Sequence, residues 1–240
     1  MIQAYLKGKS DIQFNQNEDF KTSSSIGLLQ YLPDEVFLRI LRDSCIDFKI
    51  DITKFGKIQS VNFWARVDAG DNIEQQFVEP DVWIETENYD IILEAKLDDT
   101  RGQYKEQWEK EIKSIMDVQA QKKDIVLIAL GGNRNMKPRE ALGCPVFKAS
   151  WYNLVNAVVK ERDNLNNANY QSRILNDVIE LLACQGVIKI EWLKTLPLNQ
   201  VNDQALELWI RHKNGMSIGF ATIQKVTINE NIIQQWNPIN

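Results

Sequence analysis

Asp81, Glu94 and Lys96 are the residues of this chain whose types and spacing best suit chemistry. They interrupt two apolar runs, Pro80-Asp81-Val82-Trp83-Ile84 and Ile91-Ile92-Leu93-Glu94-Ala95-Lys96-Leu97, that read as the arms of a β-hairpin. A two-residue connection at Asn88-Tyr89 sets position 81 opposite 96 and 83 opposite 94. Side chains alternate along a strand, so Asp81, Glu94 and Lys96 share one face, and Val82, Ile84, Ile91, Leu93 and Ala95 share the other. Two neighbouring carboxylates repel unless a proton or a metal ion lies between them, and an ammonium beside them can orient or activate a water. An edge strand with two solvated charges would also explain Glu94 and Lys96. Against it, the run from Ile91 to Leu97 is apolar in the manner of a central strand covered on both faces.

The elements around the hairpin follow from periodicity. A polar lead at Asn15-Gln16-Asn17 opens a helix from Glu18 to Leu32, with acids in its first turn and Pro33 as its stop. A second helix, from Asp34 to about Cys45, spaces Val36, Phe37, Ile40 and Leu41 along one face. Strand-like sequence from Ile58 to Val67 precedes the hairpin. After it, Tyr104, Trp108, Ile112, Ile115 and Val118 form a helical stripe between Gln103 and Gln121. Asp124 to Leu130, bounded by Gly131-Gly132, reads as a buried strand, Pro145 to Ser150 as another, and Trp151 to Lys160 as a helix. This order gives an α/β fold with a mixed central sheet flanked by helices, and the 103–121 helix has the length of a right-handed crossover. A polar, Asn-rich stretch from Glu161 to Asn169 separates a domain over 1–160 from a small C-terminal α+β accessory region over 165–240. In that region Ile174 to Cys184 reads as an amphipathic helix and 205–222 as a hairpin turning at Asn214-Gly215.

Composition excludes several classes of function. At 240 residues and 44% hydrophobic, the chain is long enough for a substantial core. No run approaches the roughly 18 apolar residues of a membrane helix, and the N-terminus has no signal-peptide pattern, so a soluble, cytoplasmic protein is expected. Cys45, Cys144 and Cys184 are odd in number and lie in apolar surroundings, as reduced core thiols would. The single histidine, His212, sits beside the Asn-Gly turn and leaves no basis for a Ser-His-Asp unit or a histidine-rich zinc site. Gly131-Gly132-Asn133 lacks the Lys-Ser/Thr of a nucleotide-binding P-loop. A net charge of −5 argues against a protein that coats nucleic acid nonspecifically. Basic residues do gather at Arg134, Lys137 and Arg139, with Lys122 and Lys123 nearby, where a phosphate backbone could pass or where a loop is simply solvated.

Pro80-Asp81 followed by Glu94-Ala95-Lys96 on the next strand resembles the PD-(D/E)xK motif of the restriction-endonuclease-like nuclease superfamily. The helix-strand-strand-strand-helix-strand order matches that family's core over roughly residues 15 to 160. Glu18-Asp19-Phe20-Lys21-Thr22 stands where many members carry an acid at the start of the first helix. Gln103-Tyr104-Lys105-Glu106-Gln107 stands where many open the following helix with a glutamine that faces the site, and Gln107, one turn on, competes for that role. The likeness is nearest to stand-alone bacterial members, including those of phage (antiviral) defence.

The resemblance implies a Mg2+-dependent nuclease, with Mn2+ able to substitute, that hydrolyses phosphodiester bonds in DNA more readily than in RNA. Asp81, Glu94 and the Ala95 carbonyl would hold the ion, as suits a hard cation that takes oxygen ligands. Lys96 would lower the pKa of the attacking water or stabilise charge on the phosphorane, its own pKa depressed by burial near a cation. Glu18 would bind a second ion or order a water, and Gln103 would orient that water or a phosphate oxygen. Arg134, Lys137 and Arg139 would contact nucleic acid. A member that cuts both strands would act as a homodimer or with a protein partner. The alternative is a catalytically silent nuclease fold that binds or scaffolds within a defence complex. A third reading has Glu94 or Asp81 paired with Lys96 in a structural salt bridge without metal.

Overall fold

The computed structural model describes residues 17–68, 77–98, 102–119, 121–132, 139–165 and 169–187. Within them the chain forms α1 (Glu18–Leu29), α2 (Asp34–Ser44), a short 3-10 turn (Ile52–Lys54), β1 (Ile58–Phe63), β2 (Val67–Asp68), β3 (Phe77–Val78), β4 (Val82–Thr86), β5 (Tyr89–Ala95), α3 (Lys105–Val118), β6 (Asp124–Leu130), β7 (Glu140–Ala141), β8 (Cys144–Ala149), α4 (Trp151–Asp163) and α5 (Tyr170–Cys184). Six strands make one open, mixed sheet in the order β1-β4-β5-β6-β8-β7, and β2 pairs with β3 as a separate ribbon. β1, β4 and β5 run antiparallel, β5, β6 and β8 parallel, and β7 returns antiparallel on the edge. α3 is the crossover between β5 and β6, as its length required.

The alternation along β4 and β5 separates two cores. Val82, Ile84, Ile91, Leu93 and Ala95 turn to one face with α1, α2, α4 and α5, while Ile92 and Trp83 turn to the other with Trp108, Ile112 and Ile115 of α3. β5 is buried from Asp90 to Ala95, the pattern of a central strand and not of an edge.

Several boundaries differ from the sequence reading for identifiable reasons. α1 ends at Leu29, three residues short of Leu32, and begins with Asn17, whose side chain accepts from the Asp19 and Phe20 amides. The strand expected over 58–67 breaks after Phe63 at Trp64, which adopts φ 47°, and resumes as the ribbon strand β2. On α3, Tyr104 (62% exposed) and Val118 (45%) fall outside the buried arc, whose polar members are Glu111 and Ser114. Cys45, Cys144 and Cys184 are free, but Cys184 is exposed at the end of α5 and so is not a core thiol.

The polar stretch from Glu161 to Asn169 is partly helix. α4 continues to Asp163, and Glu161 is buried against Arg39 of α2 in a two-pronged pair, Nε to Oε1 at 2.6 Å and Nη2 to Oε2 at 2.9 Å. Truncating Arg39 to alanine leaves that buried carboxylate without its partner. Because the arginine is itself about a third exposed, the expected loss is only ~1–3 kcal/mol. A urea midpoint equal to the parent's would remove this pair from the docking of α2 on α4.

α5, placed by the sequence reading in the accessory region, packs on α1 and α4 and adds Leu175, Val178 and Leu182 to their core. The compact unit accordingly spans Met1–Thr195, with Leu196–Asn240 a second unit. The hairpin at Asn214-Gly215, His212, Trp192, Trp209 and Trp236 lie outside the described residues. Among the described residues no helix is long and apolar enough to cross a membrane.

Candidate metal centre

The β4–β5 hairpin is the core of the site, and its register is one pair off the expected one. Val82 faces Leu93 and Glu85 faces Asp90, so the two-residue connection is Glu87-Asn88, not Asn88-Tyr89. The turn is closed by a side chain: Thr86 Oγ1 donates to the Tyr89 carbonyl at 2.9 Å and accepts from its amide at 3.0 Å. The Glu87 and Asn88 amides donate to the Lys57 and Phe55 carbonyls, which anchor the turn to the chain before β1. A shift by an even step preserves which residues share a face. It changes who faces whom: Asp81, one residue before β4, now stands across from Glu94 and not from Lys96. Its Oδ2 accepts from the Ala95 amide at 2.8 Å.

Lys96 closes this group. Its ammonium pairs with Glu94 Oε1, donates to the Ala95 carbonyl at 3.0 Å, and lies 3.6 Å from Glu18 Oε1. The other Glu18 oxygen accepts from the Leu97 amide at 2.7 Å, so the first turn of α1 does reach the site.

The backbone that carries Lys96 has every polar group satisfied beyond the end of β5. The Lys96 amide donates to the Leu130 carbonyl, and its carbonyl accepts from Trp151 Nε1 at 2.7 Å. The Leu97 carbonyl accepts from Lys21 Nζ at 2.9 Å, and that ammonium lies 4.5 Å over the Trp151 ring. Lys21 and Trp151 thus support the backbone that carries Lys96, a part that sequence reasoning missed. The hint for Lys21 was its place one turn after Glu18 in the segment already singled out. Gly131 (φ 73°) is needed where the loop after β6 passes the Lys96 carbonyl, since a Cβ there would lie 2.5 Å from its oxygen.

The two glutamines divide their expected role. Gln103 donates to the carbonyls of Glu94 (3.0 Å) and Gly131 (3.3 Å) and accepts from Trp108 Nε1 (2.9 Å). Its amide braces the scaffold and does not project among the carboxylates. Gln107 reaches them: Nε2 donates to Glu94 Oε1 at 2.7 Å and to Glu111 Oε1 at 3.0 Å. Glu111, at 1% exposed, is a further buried acid beside Glu94 that no motif marked. It and Gln107 line a cavity of about 400 Å³ with Phe77, Val78, Glu79 and Lys110.

Of the basic residues expected to meet nucleic acid, Arg134 and Lys137 lie outside the described residues. Arg139 pairs with Asp47 beside edge strand β7, three strands from β5. At about 4.8 Å per strand it stands more than ~14 Å from the hairpin, so the structure does not bring it to the site. Lys123 caps the far end, donating to the Thr86 carbonyl at 2.7 Å.

Burial first, and then repulsion from Glu94, push Asp81 up to about 7, against the opposing pull of the Ala95 amide and Lys96. Burial raises Glu94 too, less what Lys96 and Gln107 restore. Glu111 sits well above the usual carboxylate range through burial and the nearby Glu94. Burial pulls Lys96 down, but Glu94, Glu18 and Asp81 together hold it above its ordinary value. The ammonium is therefore retained in the metal-free protein; the depressed pKa expected from burial applies beside a bound cation.

A carboxyl raised from 3.8 to about 7 on folding binds its proton more tightly in the native state. That contribution is complete below pH ~4 and is lost as pH rises through about 7. Metal-free protein should melt lower at pH 8 than at pH 5.5, and Mg2+ at ten times its Kd should return ~1.4 kcal/mol, or ~3–6 °C, at pH 8 and less at pH 5.5. Scanning fluorimetry with and without chelator reads this; a metal-free Tm that rises over that interval contradicts it.

The donor set suits a hard cation. Asp81, Glu94 and the Ala95 carbonyl offer only oxygens, and an ammonium already rests against Glu94 and Ala95 where positive charge is wanted. Among the described residues no three Asp, Glu, His or Cys side chains form a group that could hold a metal ion by themselves. No protein-family model, curated protein or solved structure matches this chain.

Proposed function

We propose that this chain is a Mg2+-dependent nuclease of the restriction-endonuclease-like (PD-(D/E)xK) class that hydrolyses phosphodiester bonds, with DNA the favoured substrate. The observation that carries the proposal is Asp81 across from Glu94, with the Lys96 ammonium bridging Glu94 and the Ala95 carbonyl beside Glu18. Asp81, Glu94 and the Ala95 carbonyl are the ligands on this reading. When bound, the ion supplies charge relief to the phosphate and acidity to a water. Lys96, which lies against Glu94 and the Ala95 carbonyl, acts as a cationic donor to the developing phosphorane charge on this reading. Glu18 holds the Leu97 amide and so fixes where that ammonium starts. Arg139 is engaged with Asp47 and takes no part in guiding nucleic acid on this reading.

Incubation with supercoiled, linear and single-stranded DNA and with RNA, in Mg2+, Mn2+ or chelator, tests the proposal. Cleavage that requires the divalent ion is expected; its absence on all four substrates would sink the nuclease reading. A second reading, a silent nuclease fold that binds or scaffolds, is favoured by the same ion pair, because Lys96 already neutralises Glu94 without metal. The cleavage assay separates these two, and Mn2+ calorimetry that shows no uptake would point instead to the structural salt bridge without metal.

A further inference from the structure

Glu111 has no part in the chemistry above, yet its position is unfavourable for stability alone. It projects from α3 among Trp108, Ile112 and Ile115, is 1% exposed, and besides Gln107 its carboxyl meets only the Glu94 carboxyl, with no cationic partner. A leucine would complete that apolar arc without burying a carboxyl group. Its Oε1 accepts from Gln107 Nε2, the same nitrogen that donates to Glu94 Oε1. A glutamine amide can turn either its oxygen or its nitrogen toward a neighbour. With acceptors on both sides, only the nitrogen fits, and the N–H is held toward Glu94. Glu94 Oε1 is then set between Gln107 and Lys96, next to Asp81.

We infer that Glu111 is a positioning residue of the cation centre, acting through the Gln107 amide to fix the orientation of the Glu94 carboxylate. The inference rests on the metal-centre reading of Asp81 and Glu94. It places a buried acid on the crossover helix in the shell that orients a metal ligand, where removing a partner commonly weakens metal affinity by ~10–100-fold.

Mn2+ titration of the full chain by calorimetry and by loss of the free-ion EPR signal tests it, with melting curves alongside. Glu111→Leu should weaken Mn2+ by at least ~10-fold while melting no lower than the parent, a combination that a purely structural residue would not give. Gln107→Leu should weaken it equally, and the double variant should be no worse than either single, because both break one relay. Glu111→Gln, whose amide oxygen still accepts from Gln107, should stay within about threefold of the parent. Parent-like affinity in Glu111→Leu, additive losses, or a loss that tracks a falling Tm would each overturn the inference. Should Glu111→Leu fail to fold, Gln107→Leu and Glu111→Gln decide the matter by the same readings. If the parent binds no Mn2+, the metal reading and the inference fall together. If the parent binds, Asp81→Asn does not, and Glu111→Leu is unaffected, the inference alone fails.

Discussion

Lys96→Ala is expected to lower divalent-dependent cleavage by on the order of 10²–10³-fold or more, the effect of removing one preorganised donor to a developing oxyanion, while leaving Mn2+ affinity undiminished. The ammonium contacts Glu94 Oε1 and the Ala95 carbonyl, two of the three groups assigned to the ion. Its removal exposes those oxygens without displacing them, since the Lys96 main chain is held by the Leu130 carbonyl and by Trp151. Uncompensated repulsion among Asp81, Glu94 and Glu18 should cost stability in chelator, and the divalent ion should restore it. Lys96→Arg should not rescue the rate, because a planar fork cannot occupy a point-charge position between two oxygens. Single-turnover cleavage and calorimetry on the same preparation give both numbers. Cleavage within tenfold of the parent would remove Lys96 from the chemistry, and lost Mn2+ binding would make it a structural ion pair.

The parts of the centre that could be read in the sequence were those governed by local periodicity. Strand alternation placed Asp81, Glu94 and Lys96 on one face, and that survived a wrong turn position because the error was an even step. The pairing itself was not legible, since a threonine side chain and two carbonyls from before β1 decide where the turn closes. Helical spacing put Gln103 and Gln107 one turn apart on one face. It could not show that Gln103 would be drawn to two carbonyls and an indole while Glu111 was pulled into the apolar arc. The clamp on Leu97 joins residues 76 and 79 positions apart, beyond the reach of any local pattern. Glu161 misled for the converse reason: a charge in an Asn-rich stretch reads as solvated until Arg39, 122 residues away, is found beside it.

Gly131→Ala should be the most damaging small substitution in the scaffold. The residue adopts φ 73°, and an added Cβ would lie 2.5 Å from the Lys96 carbonyl oxygen and 3.0 Å from Trp151 Nε1. Neither atom can yield freely: each is the other's hydrogen-bond partner, and the indole also carries the Lys21 ammonium that holds the Leu97 carbonyl. Left-handed backbone costs an alanine ~1–2 kcal/mol and a broken hydrogen bond ~1 more. The expected loss is therefore ~2–3 kcal/mol, or a Tm fall of roughly 4–12 °C. Because the displaced carbonyl belongs to Lys96, activity should drop by up to ~10²-fold at temperatures where the variant is still folded. Gly143→Ala provides the comparison, since that glycine has φ 78° with nothing within 4 Å of its would-be Cβ. It shares the backbone cost and none of the contact, so it should lose only ~1–2 kcal/mol and keep its cleavage rate. Equal rates for the two alanine variants would mean that the approach of Gly131 does not set the position of Lys96.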